Sequence, residues 1–200
     1  MERSRPGRRG VLRAGLLLGA SAAATAGSAS LPALGGRRKL VDYPHAHWAP
    51  ADEAAYTASD RPSAHPIDFV VIHMTQETFA DTIGIFRNPR KQVSAHYVVR
   101  SVDGRVAQCV RDKDIAWHAG NWDRNTRSIG IEHEGWVDRP RYFTTALYEA
   151  SAALTAHLCA TYGIPGNREH IIGHSEVPGA DHTDPGALWD WDHYLQLVNA

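Results

Sequence analysis

The run IDFVVIHM at positions 67–74 follows Pro66 and is rich in β-branched residues. It predicts a buried, central strand that ends at His73. Positions 77–86 carry apolar residues near helical spacing and stop at Asn88-Pro89, which predicts a short helix. Segments 95–100 and 105–110 flank Asp103-Gly104, a pair that tolerates positive φ and suits a hairpin. SIGIEH at 128–133 reads as another strand, with Ile129 and Ile131 on one face and Glu132 on the other. The longest helix is expected over 144–162, where Leu147, Ala150, Leu154 and Leu158 recur at spacings of three and four and Gly163 follows as terminator. A last helix is expected over 188–198. Strands interleaved with helices, one antiparallel hairpin among them, imply an α/β fold with a mixed central β-sheet flanked by helices, not a bundle or a sandwich.

The first 29 positions follow a different pattern. Arg3, Arg5, Arg8, Arg9 and Arg13 precede an apolar stretch at 14–26, and small residues continue to Ala29. That is the pattern of a secretory signal peptide, and Arg8-Arg9 before Gly10, Val11 and Leu12 resembles a twin-arginine signal. The apolar stretch falls short of the ~20 residues that span a bilayer, so no stable membrane anchor is expected and the mature protein is placed outside the cytoplasm. Residues 30–66 hold five prolines and no sustained period, which reads as a linker and irregular N-terminal arm whose Trp48 and Tyr56 are candidates to pack on the domain. The catalytic domain is then expected over 67–200.

Composition narrows the partners. Hydrophobic residues at 43% and charged residues at 22% are globular values, and the ~150 residues left after the leader suit one domain, expected as a monomer. A net charge of -1 provides no footprint for nucleic acid, so no nucleic-acid partner is expected. Cys109 and Cys159 lack any CxxC spacing and are open to either a bridge or two separate thiols.

Candidate chemistry gathers at His73 on the strand end, His174 in Gly173-His174-Ser175-Glu176, and Asp184 ten positions later. Two imidazoles and a carboxylate leave a fourth tetrahedral position open, the arrangement of a catalytic zinc site and not of a structural one. Spacing alone leaves packed histidines as the alternative, and the same ligands would accept other first-row divalent ions. Glu132, opposite the apolar face of its strand, is the candidate general base for a water molecule; the competing reading is a solvated strand carboxylate.

Five segments occur in order: VVIHMT at 70–75, QVSAHYVV at 92–99, IAWHAG at 115–120, SIGIEHEG at 128–135 and GHSEVPGADHTDPG at 173–186. Together they resemble the N-acetylmuramoyl-L-alanine amidase type 2 family, which also includes peptidoglycan recognition proteins and phage lysozyme-type amidases. The resemblance implies one Zn2+ ion held by His73, His174 and Asp184. It implies Glu132 as the residue that activates water, and peptidoglycan or a muropeptide as substrate, cut between N-acetylmuramic acid and L-alanine. The family often has a lysine two residues before its last ligand; this chain has His182 there, a candidate to stabilise the oxyanion. Tyr97 and His118 fall in segments similar to those that line the family's substrate groove and are candidate substrate contacts.

Overall fold

A computed structural model describes residues 41–200. The expected leader, and the linker as far as residue 40, lie outside the described residues. In chain order the strands are β1 His47–Trp48, β2 Tyr56–Thr57, β3 Phe69–Met74, β4 Tyr97–Val99, β5 Val106–Gln108, β6 Ile115–Ala116, β7 Ser128–His133 and β8 Ile171–Gly173. The helices are α1 Phe79–Phe86, α2 Trp122–Arg127, α3 Thr145–Tyr162 and α4 Trp191–Val198. Six strands form one mixed sheet in the order β1-β5-β4-β7-β3-β8, and β2 pairs with β6 in a second, two-stranded sheet. The expected α/β class is therefore observed.

Strand alternation sorts the side chains of β3 and β7. Val70, Ile72 and Met74 of β3, with Ile129 and Ile131 of β7, pack into one core with Leu147, Leu154 and Leu158 of α3 and Tyr194 of α4. Val71 belongs to a separate cluster with Ala119, Ile172 and Val177. Because β3 alternates, His73 shares the Val71 face and points away from α3. The parallel register places His73 beside Glu132. Thr144 caps α3 by accepting from the Leu147 N–H, and Gly163 closes it in a left-handed conformation with φ 71°.

The reading of residues 30–66 as linker and irregular arm is corrected over 41–66. β1 runs parallel to β5, and β2 pairs antiparallel with β6. Tyr43 enters the main core. β1 and β2 have two residues each, too few for any period to show. Arg61 is 4% exposed. Its guanidinium donates to the carbonyls of Asn125, Thr126 and Ser128, and to those of Asp112 and Asp114 at 2.7 and 2.6 Å. Burial pushes the guanidinium down to about 10, so it is still charged at neutral pH. Removing a buried charge leaves its partners unsatisfied and typically costs about 3–5 kcal/mol. Arg61→Met is therefore expected to lower the unfolding free energy by about that amount in urea titrations; a loss below about 1 kcal/mol would mean that Arg61 does not fasten the arm.

Cys109 and Cys159 are both free thiols, in different apolar clusters, and burial pushes Cys109 up to about 12. No helix among the described residues is long and apolar enough to cross a membrane.

Candidate metal centre and active site

Three separate segments deliver His73, His174 and Asp184 to one point. His73 sits near the end of β3, and His174 directly follows β8, which pairs with β3 in parallel. Asp184 is fastened twice: Ser175 N–H donates to its carbonyl at 3.0 Å, and Met74 N–H donates to its Oδ2 at 3.2 Å. Gly173 permits this approach, since a Cβ there would meet Pro185 Cδ at 2.8 Å. The result is a compact triad. Asp184 Oδ1 lies 3.1 Å from His174 Nδ1 and Oδ2 lies 3.4 Å from His73 Nδ1. One candidate ligand atom from each residue falls within 4.8 Å of the others.

All three side chains are buried, at 1%, 5% and 7% exposure. Burial would raise the Asp184 carboxyl, but its close contacts with the His174 and His73 rings outweigh that and hold it below the ordinary aspartate range. Burial pushes His73 down, against the pull of Asp184, so this imidazole favours its neutral, metal-binding form. His174 Nε2 and Glu132 Oε2 are buried without a hydrogen-bond partner. Such atoms cost about 1–3 kcal/mol each when uncompensated. Two imidazoles beside an ionised carboxylate, with polar atoms left over, fit a divalent cation, and nitrogen and oxygen donors without sulfur fit zinc in a catalytic setting.

Glu132 faces the triad from the next strand. Burial first, and the Asp184 charge second, push its carboxyl up to about 8. It lines a cavity of about 460 Å³ together with His73, His174, Asp184, His118 and His182. His182 stands at the exposed side of the cavity, its ring stacked on His174 at 4.0 Å and its Nδ1 3.7 Å from Asp184 Oδ1. On the opposite face of β7, His133 Nδ1 donates to the His73 carbonyl at 2.7 Å and Nε2 accepts from Ser151 at 2.6 Å, which steadies the strand behind the site. Glu134 accepts from the Phe79 and Ser101 N–H groups at 3.0 and 2.8 Å, so its carboxylate anchors loops.

A family model described as N-acetylmuramoyl-L-alanine amidase matches residues 63–187. The chain belongs to this family. The N-acetylmuramoyl-L-alanine amidase A of Achromobacter lyticus is 37% identical over 177 residues, covering 80% of this chain and 96% of that protein. A solved selenomethionine derivative of AmpD aligns with a TM-score of 0.64 at 28% identity, over 78% of this chain and 96% of that one. The amidase AmiD from Escherichia coli, solved with anhydro-N-acetylmuramic acid-L-Ala-D-γ-Glu-L-Lys, aligns with a TM-score of 0.58 at 28% identity, over 72% and 66%. The resemblance drawn from five motifs and the expected fold are both borne out.

Not every amidase site residue read from the sequence is at the cavity. Tyr97 is fully buried on the α3 face of β4, where its hydroxyl donates to Asp112 Oδ1 at 2.7 Å, so it is corrected from substrate contact to core residue. His118 does line the cavity, but both ring nitrogens have protein partners: Nδ1 lies 2.9 Å from His73 Nε2, and Nε2 lies 3.2 Å from Ser128 Oγ. Gln76 and Gln92, which the sequence did not single out, line the same cavity with φ of 55° and 49°. Left-handed backbone at a non-glycine residue costs on the order of 1 kcal/mol and clusters at functional sites. Glutamine is not a turn former, so neither position carries a sequence signal.

Proposed function

We propose that this protein hydrolyses the amide between the lactyl group of N-acetylmuramic acid and L-alanine, in peptidoglycan or in a muropeptide, as a one-zinc enzyme. The observation that carries the reading is the buried His73–His174–Asp184 triad facing an unpartnered Glu132 across a cavity. A zinc ion held by these three residues would leave a position for water, bring that water's pKa toward neutrality and polarise the scissile carbonyl. Glu132 is the base. Its carboxylate takes the proton from the attacking water and returns it to the departing L-alanine nitrogen. Its raised affinity for a proton suits both steps, and a cation at the triad offsets the Asp184 charge that helps to raise it. The AmiD complex, whose ligand joins anhydro-N-acetylmuramic acid to L-Ala, supports the choice of bond.

His182 is assigned the donor role toward the oxyanion, from its place beside Asp184 at the open side of the cavity. His182→Ala is expected to lower kcat about 100-fold, the usual cost of an oxyanion donor, with zinc content unchanged. Zinc loss in proportion to activity would make His182 a ligand or a structural residue. Export by the twin-arginine route and the leader over 1–29 belong to the same proposal and rest on those residues alone. Mass spectrometry of a digest of purified peptidoglycan tests the bond: stem peptides with a free L-alanine amino terminus are expected, and cleavage within the peptide or the glycan would overturn the assignment.

A further inference from the structure

His118 extends beyond the substrate-contact role its motif suggested. Its ring meets that of His73 edge-on, with centroids 5.0 Å apart. Gly130 on β7 makes room for it, since a Cβ there would come within 2.5 Å of His118 Cγ. Asn125 Oδ1 accepts from the His118 and Ala119 N–H groups at 3.2 and 2.8 Å, which fixes the loop that carries the ring.

The hydrogen-bond chain running from this ring has a direction. It ends on the Arg124 carbonyl, which can only accept, and Ser128 Oγ donates to it at 2.6 Å. The single hydroxyl proton of Ser128 is thereby used, so Ser128 Oγ accepts from His118 Nε2–H at 3.2 Å. A neutral His118 then carries a lone pair on Nδ1, which accepts from His73 Nε2–H at 2.9 Å. The lone pair of His73 is left on Nδ1, the nitrogen that faces Asp184 Oδ2 at 3.4 Å.

We propose that the relay Arg124 carbonyl–Ser128–His118 fixes the tautomer of His73 and aims its Nδ1 lone pair into the triad, so that His118 is a positioning residue of the metal centre and not a substrate contact. The proposal rests on the one-zinc reading above, because without a cation the ionised Asp184 Oδ2, 3.4 Å away, competes for a proton on His73 Nδ1. Outer partners of metal-binding histidines commonly account for 10–100-fold in metal affinity.

Two readouts test the relay on the purified full chain. In long-range ¹⁵N–¹H spectra of the zinc-loaded wild type, His118 is expected as the Nε2–H tautomer and His73 with its proton on Nε2, and Ser128→Ala should leave His118 with a tautomer mixture. By chelator competition, His118→Leu should bind zinc 10–100-fold more weakly, while His118→Asn, whose Oδ1 can accept where Nδ1 does, should recover most of the affinity. At saturating zinc the KM of His118→Asn for a soluble muropeptide should stay within about twofold of wild type. A His118 carrying its proton on Nδ1 in the zinc-loaded wild type overturns the relay. So does unchanged zinc affinity in a folded His118→Leu or, should that variant not fold, a His118→Asn with normal affinity and a KM raised tenfold. A wild type that takes up no zinc would overturn the metal reading, whereas one that takes up zinc with His118 protonated on Nδ1 would overturn the relay alone.

Discussion

Glu132→Gln is expected to lower turnover on a soluble muropeptide by about 10³-fold while the protein keeps one equivalent of zinc. General acid–base groups contribute about 10²–10⁴-fold, and Glu132 serves twice, taking a proton from water and delivering it to the amine. The substitution keeps shape and volume at a half-buried position on the cavity wall, where the β7–β3 register sets the side chain beside His73. Folding should be spared, because Glu132 Oε2 has no protein partner to lose and an amide is easier to bury than a carboxylate. A kcat within tenfold of wild type would remove Glu132 from the chemistry.

His174→Ala should abolish both zinc retention and activity. It deletes a ligand outright, so its effect on affinity should exceed the roughly 10–100-fold typical of an outer partner. Asp184 would also lose its 3.1 Å contact with His174, one of the interactions that hold its carboxyl low. Elemental analysis after dialysis should find zinc near one equivalent in the wild type and near zero in the variant. In thermal scans zinc should raise the Tm of the wild type and not that of His174→Ala, since only a folded state with an intact site gains from the ion. A variant that keeps its zinc would move the metal away from the triad.

The elements legible in the sequence are those whose side chains all follow one period. SIGIEH matches β7 residue for residue, and 144–162 differs from α3 only in its capping Thr144. Each is long enough for its apolar face to declare itself. Strands β1, β2 and β6 have two residues each and are made by their neighbours, so no local pattern announces them. Arg61 likewise reads as a loop cation until five carbonyls from distant segments are seen to converge on it.

The site shows the same division. His73 and Glu132 could be placed because strand alternation fixes the face on which each lies. His174 and Asp184 are far along the chain from His73, and only the ordered motifs tied them together. Tyr97 was misplaced because β4 is buried on both faces, so its apolar run does not say which side meets the cavity. His118 lines the cavity, yet its nitrogens are committed to His73 and Ser128, contacts that pattern and spacing do not reveal.

The most direct measurement is a titration of zinc into chelator-treated protein, following release of stem peptide from a soluble muropeptide. Activity is expected to be absent without metal and to rise linearly to a plateau at one equivalent. Full activity in the stripped protein would contradict the one-zinc enzyme, and a fully loaded protein that binds muropeptide without cleaving it would make this chain a recognition module.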